Sequence, residues 1–144
     1  MLSSYDADDF MSVNPVTFDP ETDIFDAIHV LLQRKVTGGT VLNERHEVIG
    51  VISEFDCLRA IINTGYYREG GGKVKDFMTT ENINYIDPHM SLIDAAQHLI
   101  EKRNRRMPVV VNGQFAGQIS ARSILQAFKD SMMEHDKTED ETAV

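Results

Sequence analysis

The residues of this chain best suited to chemistry lie in Gly50-Val51-Ile52-Ser53-Glu54-Phe55-Asp56. A carboxylate can accept a hydrogen bond from each hydroxyl of a vicinal diol such as ribose, while a hydroxyl and free amides at a helix N-terminus suit a phosphate. Ser53 and Asp56 provide that set. The same Ser-x-x-Asp is also an ordinary capping box, and in an arbitrary protein that is the commoner reason for it. A related stretch, Gly117-Gln118-Ile119-Ser120-Ala121-Arg122-Ser123, keeps the first serine and has Ser123 in place of the acid. Ser123 can donate and accept but cannot hold a diol with one anionic group, so the two stretches are expected to be unequal.

These two stretches belong to a repeat that runs through the chain. Asp9-Phe10-Met11 recurs as Asp76-Phe77-Met78, Asp19-Pro20 as Asp87-Pro88, and Asp26-Ala27 as Asp94-Ala95, always at a spacing of 67 or 68 residues. Motifs kept in order in this way imply two supersecondary units, each covering apolar surface that its partner leaves open. With 144 residues and 42% apolar content there is enough for one compact core, and one domain made of two repeats is expected.

Charge and composition narrow the partners. Fourteen basic against twenty-three acidic residues leave a net charge of -9, which opposes phosphate backbones and anionic membranes except at a local basic patch. Nucleic acid and membrane are therefore not expected as partners. The single cysteine, Cys57, excludes an internal disulfide, and the Met1-Leu2-Ser3-Ser4-Tyr5-Asp6 start has no basic, apolar signal pattern. A soluble, cytoplasmic protein is the expectation.

The elements that must position Ser53 and Asp56 follow from periodicity. Val16-Thr17-Phe18 reads as a strand ending at Asp19-Pro20. Ile24, Ala27, Ile28, Leu31 and Leu32 then recur at helical spacing, matched by Leu92, Ala95, Ala96, Leu99 and Ile100. Asp23 and Ser91 stand at the N-cap positions. Two apolar segments follow each helix, Thr40–Leu42 with Val48–Ile52 and Pro108–Val111 with Phe115–Ile119, the second pair joined through the hairpin signal Asn112-Gly113. A last helix closes each unit with Leu58, Ile61 and Ile62, or with Ile124, Leu125 and Phe128. The expected boundaries are 1–66 for the first repeat with its N-terminal segment, 67–73 for a Gly-rich linker, 74–133 for the second repeat, and 134–144 for an acidic, disordered tail.

This order of elements, with Asp-Pro before the first helix and Gly-apolar-apolar-Ser-x-x-Asp after the third strand, resembles the CBS domain family over about residues 9 to 130. The resemblance implies an α/β (α+β) fold of two CBS repeats, β-α-β-β-α each, packed about a pseudo-twofold axis as a Bateman module. It also implies a stand-alone regulatory protein that catalyses nothing itself. Such pairs sense adenosine compounds such as AMP, ADP, ATP and S-adenosylmethionine.

Within that resemblance, Ser53 and Asp56 match the family's ribose-binding positions. The Asp of one motif meets the first and second strands of the other, which adds Asn82, Ile83 and Asn84 with Arg105, Met107, Pro108 and Arg122. Ile83 and Met107 would flank adenine, backbone near Asn82 to Asn84 would read its edge, and Arg105 and Arg122 would hold phosphate. Lys102, Arg103 and Arg106 are expected as helix-end and surface charges. A weaker second site would combine Asn14, Pro15, Val16, Gly38 and Gly39 with Ser120 and Ser123, although Gly38-Gly39 also fits a plain turn before a strand. The implied ligand is an adenine nucleotide, with no required cofactor, an unidentified regulated protein as partner, and a homodimer as the assembly. A constitutive docking or dimerisation module with vestigial clefts and an S-adenosylmethionine sensor are the alternatives.

Other chemistry has little support. His29, His46, His89, His98 and His135 form no metal-ligand spacing with one another or with Cys57, so no metal site is expected. Cys57 lies in a first helical turn, where amide dipoles lower a thiol pKa, but a lone cysteine is more often a small buried hydrophobe. Gly70-Gly71-Gly72-Lys73 lacks the Ser/Thr and first Gly of a phosphate loop, and reads as linker. The terminal Thr142-Ala143-Val144 is weak evidence for a peptide-ligand motif.

Overall fold

The computed structural model describes residues 2–64 and 71–142. The linker as far as Gly70, and Ala143-Val144 of the terminal pattern, lie outside the described residues. After a 3-10 turn at Leu2–Ser4, the elements are α1 (Ala7–Phe10), β1 (Thr17–Phe18), α2 (Ile24–Arg34), β2 (Gly38–Leu42), β3 (Val48–Ser53), α3 (Glu54–Thr64), α4 (Val74–Phe77), α5 (Leu92–Lys102), β4 (Arg106–Val111), β5 (Gln114–Ser120) and α6 (Ala121–Thr142). They form two compact units. One holds Asn14–Ile83 with Asn112–Phe115, and the other holds Met1–Val13, Asn84–Val111 and Ala116–Val144. No helix among the described residues is long and apolar enough to cross a membrane.

The first-repeat unit is built on a three-stranded sheet in the order β1-β2-β3. β1 runs parallel to β2, with Thr17 opposite Thr40, and β2 runs antiparallel to β3, with Gly38 opposite Ser53. α2 starts where Asp23 accepts a hydrogen bond from the Phe25 amide (3.0 Å) and stops at Lys35, which adopts the left-handed conformation. Ile24, Ala27 and Leu31 from α2 pack with Phe18, Val41, Ile52, Cys57 and Ala60. Leu32, expected on that buried face, is exposed, as is its counterpart Ile100.

The second-repeat unit copies this plan with one change. α5 is capped by Ser91, whose Oγ accepts from the Asp94 amide (3.1 Å), and the β4-β5 hairpin turns at Asn112 and Gly113, both at positive φ. The expected first strand, however, is reduced to a single parallel bridge between Ile86 and Val109. In the first repeat the Thr40 amide donates to the Val16 carbonyl. The equivalent position is Pro108, which has no N–H to offer Asn84, so the ladder cannot lengthen toward the N-terminus.

The compact units do not follow the repeat boundaries read from the sequence, because each repeat gives its leading segment to the other. Residues 5–12 belong with the second repeat: the Ala7 amide donates to the Met90 carbonyl (2.8 Å), the Asp8 amide to Pro88 (3.0 Å), and the Leu92 amide to Tyr5 (2.9 Å). Residues 72–79 make the corresponding bonds to the first: Val74 to Thr22 (2.8 Å), Lys75 to Pro20 (3.0 Å), and Ile24 to Gly72 (3.0 Å). Ala7 and Val74 are fully buried in the cores they join. Ser12 then pairs with Gln118, and Thr79 with Val51, each through two backbone hydrogen bonds.

This exchange explains why Asp-Phe-Met and the glycine of the Ser-x-x-Asp stretch are repeated together. A Cβ on Gly50 would lie 2.6 Å from Met78 Sδ, and one on Gly117 would lie 2.6 Å from the Ser12 carbonyl and 2.7 Å from Met11 Sδ. Each motif needs the glycine of the opposite repeat to seat its methionine.

Two further expectations change. Cys57 with Ala60 forms the buried face of α3, and Ile124 with Ala127 that of α6, which leaves Leu58, Ile62, Leu125 and Phe128 exposed. The helical backbone of α6 continues to Thr142, through the stretch from Glu134 that composition reads as a disordered tail. Propagating a helix from a packed first half fixes one residue at a time and avoids the cost of a new nucleus.

Candidate functional site

Ser53 ends β3 and Asp56 sits in the first turn of α3, so the sheet register and the helix start together fix the pair. Asp56 is 4% exposed. Its Oδ2 accepts from the Ser53 amide (2.9 Å) and from Ser53 Oγ–H (3.0 Å), while Ser53 Oγ accepts from the Asp56 amide (3.3 Å). Its Oδ1 accepts from Arg59 Nη1 (2.9 Å), and the Arg59 side chain is 67% exposed. No buried side-chain nitrogen or oxygen among the described residues is without a partner. The cap and the carboxylate thus coexist in one arrangement, and three of the roughly four acceptor positions of that carboxylate are in use.

Around this pair the first-repeat unit gathers backbone. Gly38 lies opposite Ser53 in the ladder, and the Glu54 amide donates to the Thr37 carbonyl (3.0 Å). Gly38 and Gly39 are buried strand residues and not the plain turn that their composition suggested. A Cβ on Gly39 would meet the Phe18 ring at 2.7 Å and the Val16 carbonyl at 2.9 Å, so glycine is required by the close approach of β1. The structure therefore seats Val16, Gly38 and Gly39, with Asn14 and Pro15 leading in, in the same unit as Ser53 and Asp56. Ser120 and Ser123, expected beside those strand residues, lie in the other unit.

In the second-repeat unit the Ala121 amide donates to the Arg105 carbonyl (2.9 Å), which brings Ser120 and Ser123 close in the fold to Arg105, and Arg122 follows directly in α6. Ser123 Oγ accepts from the Ser120 amide (3.0 Å) and donates to the Ser120 carbonyl (2.8 Å), while Ser120 Oγ accepts from the Ser123 amide (3.0 Å). The neutral pair reproduces the cap without the charge. Arg105 and Arg122 are exposed. Met107, expected beside adenine, is instead 1% exposed, because its position in β4 points into the core formed with Ile86, Leu99 and Ile119. Pro108 is buried as well. Asn82 is exposed in the left-handed conformation and Ile83 is half-buried, both in the first-repeat unit, whereas Asn84 begins a segment of the second.

Cys57 is buried, and burial, reinforced by the charges of Asp56 and Glu54, pushes its thiol up to about 11. The helix-start effect considered for it is outweighed, and the residue belongs to the core. Two groups that sequence reading missed are Arg59 and the Glu21–Lys73–Lys75 cluster. The Asp56-x-x-Arg59 spacing of neighbours on one helix face was a signal for the first. The second joins residues 52 and 54 positions apart, which no local pattern reveals.

Comparison with known proteins agrees with this geometry. The CBS domain family matches the chain twice, over residues 7–63 and 74–130, and the chain belongs to that family as a tandem pair. It is 30% identical over 121 residues to inosine-5'-monophosphate dehydrogenase of Aquifex aeolicus, covering 83% of this chain and 24% of the enzyme. It is 27% identical over 150 residues to the chloroplastic CBS domain-containing protein CBSX2 of Arabidopsis thaliana, covering 85% of this chain and 63% of that protein. The chain thus spans less than two thirds of the length of these relatives. Among solved structures, CBSX2 in complex with AMP is similar at 29% identity and a TM-score of 0.77, over 90% of this chain and 99% of that one.

Proposed function

We propose that this chain is a ligand-sensing regulatory module that binds an adenine nucleotide, AMP, ADP or ATP, and reports its occupancy to a partner protein. The observation that carries the reading is the buried Asp56 carboxylate, hydrogen-bonded to Ser53 at the β3–α3 junction, a group with the right chemistry for a ribose diol. The similarity to CBSX2, whose structure is in complex with AMP, supports adenosine as the ligand class. In this proposal Ser53 and Asp56 take the ribose, backbone from Asn82 to Asn84 with the side chain of Ile83 meets adenine, and Arg105 and Arg122 neutralise phosphate.

A ligand that binds one conformation of the module more tightly favours that conformation, and with it one partner-binding surface. Such a module needs no turnover of its ligand. A cytoplasmic location and a homodimer complete the proposal, and the apolar stripe of Phe55, Leu58 and Ile62 that α3 leaves exposed supports the homodimer.

One observation favours a second reading. Asp56 already has three partners as a cap and ion-pair residue, as it would in a docking module whose clefts bind nothing. Calorimetric titration with AMP, ATP and S-adenosylmethionine separates the readings. The proposal expects about one phosphate-dependent ligand per chain, lost in Asp56→Ala and in Arg105→Ala with Arg122→Ala. Binding of S-adenosylmethionine alone would make the arginines dispensable, and no binding by folded protein would leave the docking module.

A further inference from the structure

We propose that Arg59 is a displaceable latch on Asp56, a residue that sets the affinity and salt response of the diol site. The inference rests on the nucleotide reading above and deepens it.

The carboxylate of Asp56 has two distinct sets of partners. Oδ2 is held from β3 by the amide and hydroxyl of Ser53, and the amide bond is part of the helix start. Among the described residues Oδ1 has one partner, Nη1 of Arg59, one helical turn further on. A vicinal diol has two O–H groups to donate, and Oδ1 has one unused acceptor position. The second hydroxyl must therefore take a position that is already filled. Removing the Ser53 amide from Oδ2 would undo the cap, whereas releasing Arg59 frees a side chain that is already two-thirds exposed to water. Arg59 is the partner that can leave most easily.

The second repeat supports this assignment by its substitutions. Ser123 stands in the place of Asp56, and Gln126 in the place of Arg59. Gln126 donates to Asp130 (3.0 Å) along its own helix and takes no part in the Ser120–Ser123 cap. The cap by itself does not require a cation at that position. The cation is found in the repeat whose carboxylate could bind a diol and would otherwise keep an acceptor oxygen open to other donors.

The test uses the full chain, with adenosine and AMP as probes in calorimetric titrations of wild-type protein and Arg59→Gln over a series of salt concentrations. Adenosine carries no charge, so any salt dependence of its binding reports on the protein's own ion pair. The latch predicts that Arg59→Gln binds both compounds more tightly, by the same factor of about two to five, the range an exposed ion pair can supply. It also predicts that wild-type affinity for adenosine rises with salt while that of the variant does not. Unchanged or weaker binding of adenosine by the variant overturns the latch. Weakened binding of AMP alone also overturns it, because Arg59 would then be a phosphate ligand. If neither protein binds either compound, the nucleotide reading itself fails.

Discussion

Replacing Gly117 with alanine should destabilise the protein markedly more than the matching change at Gly50, although the two occupy equivalent places in the repeat. A Cβ at Gly50 meets chiefly the flexible thioether of Met78, with Sδ at 2.6 Å and Cγ at 3.0 Å, and the Thr79 carbonyl lies at 3.1 Å. A Cβ at Gly117 meets the Ser12 carbonyl itself at 2.6 Å, and that oxygen is held by the Gln118 amide at 3.0 Å. A methionine end can turn aside, whereas a paired backbone carbonyl cannot without breaking the bridge. Overpacking costs about 1–3 kcal/mol, and a Gly→Ala change recovers about 0.4–1 kcal/mol through the unfolded state. Gly50→Ala should thus fall close to neutral, and Gly117→Ala should lose about 2 kcal/mol. Urea unfolding of both variants measures the difference. A double-mutant cycle adds the cause: Met78→Ala should relieve Gly50→Ala by about 0.5–1 kcal/mol, while Met11→Ala should relieve Gly117→Ala only by a similar part and leave the loss due to the Ser12 carbonyl. Equal losses at the two glycines, or full rescue of Gly117→Ala by Met11→Ala, would refute the argument.

Two other predictions concern titrating groups. The ammonium groups of Lys73 and Lys75 hold the Glu21 carboxyl down at about 2, from a usual 4.5. A carboxylate with a depressed folded pKa stabilises above its unfolded pKa, and the contribution fades as pH falls from about 4.5 toward 2. Glu21→Gln should therefore flatten the acid limb of a stability-against-pH curve in that window, and the difference from wild type should shrink in high salt, because the cluster is exposed. Cys57, with its thiol raised to about 11, should resist iodoacetamide at pH 8 in native protein and react once denaturant is added; rapid native labelling would contradict its burial.

Much of the fold was legible because it depends on local physics. Helical spacing and the caps at Asp23 and Ser91 located α2 and α5, and Asn112-Gly113 located the hairpin. The fixed offset between motifs disclosed the tandem repeat. The Ser53–Asp56 pair was legible too, both as a cap and as candidate chemistry, since both roles follow from a spacing of three residues at a helix start.

Tertiary structure decided what depends on partners distant in the chain. Periodicity could not tell that α3 buries Cys57 and Ala60, that α6 buries Ile124 and Ala127, and that Leu58, Ile62, Leu125 and Phe128 are exposed, because which face is covered depends on what packs against it. Gly38 and Gly39 looked like a turn until β1 was placed beside them, and Met107 looked available until the core closed over it. The exchange of Asp9-Phe10-Met11 and Asp76-Phe77-Met78 between repeats was likewise hidden. A repeat in sequence records that two segments have the same job, and only their hydrogen bonds and close contacts record with which half each does it.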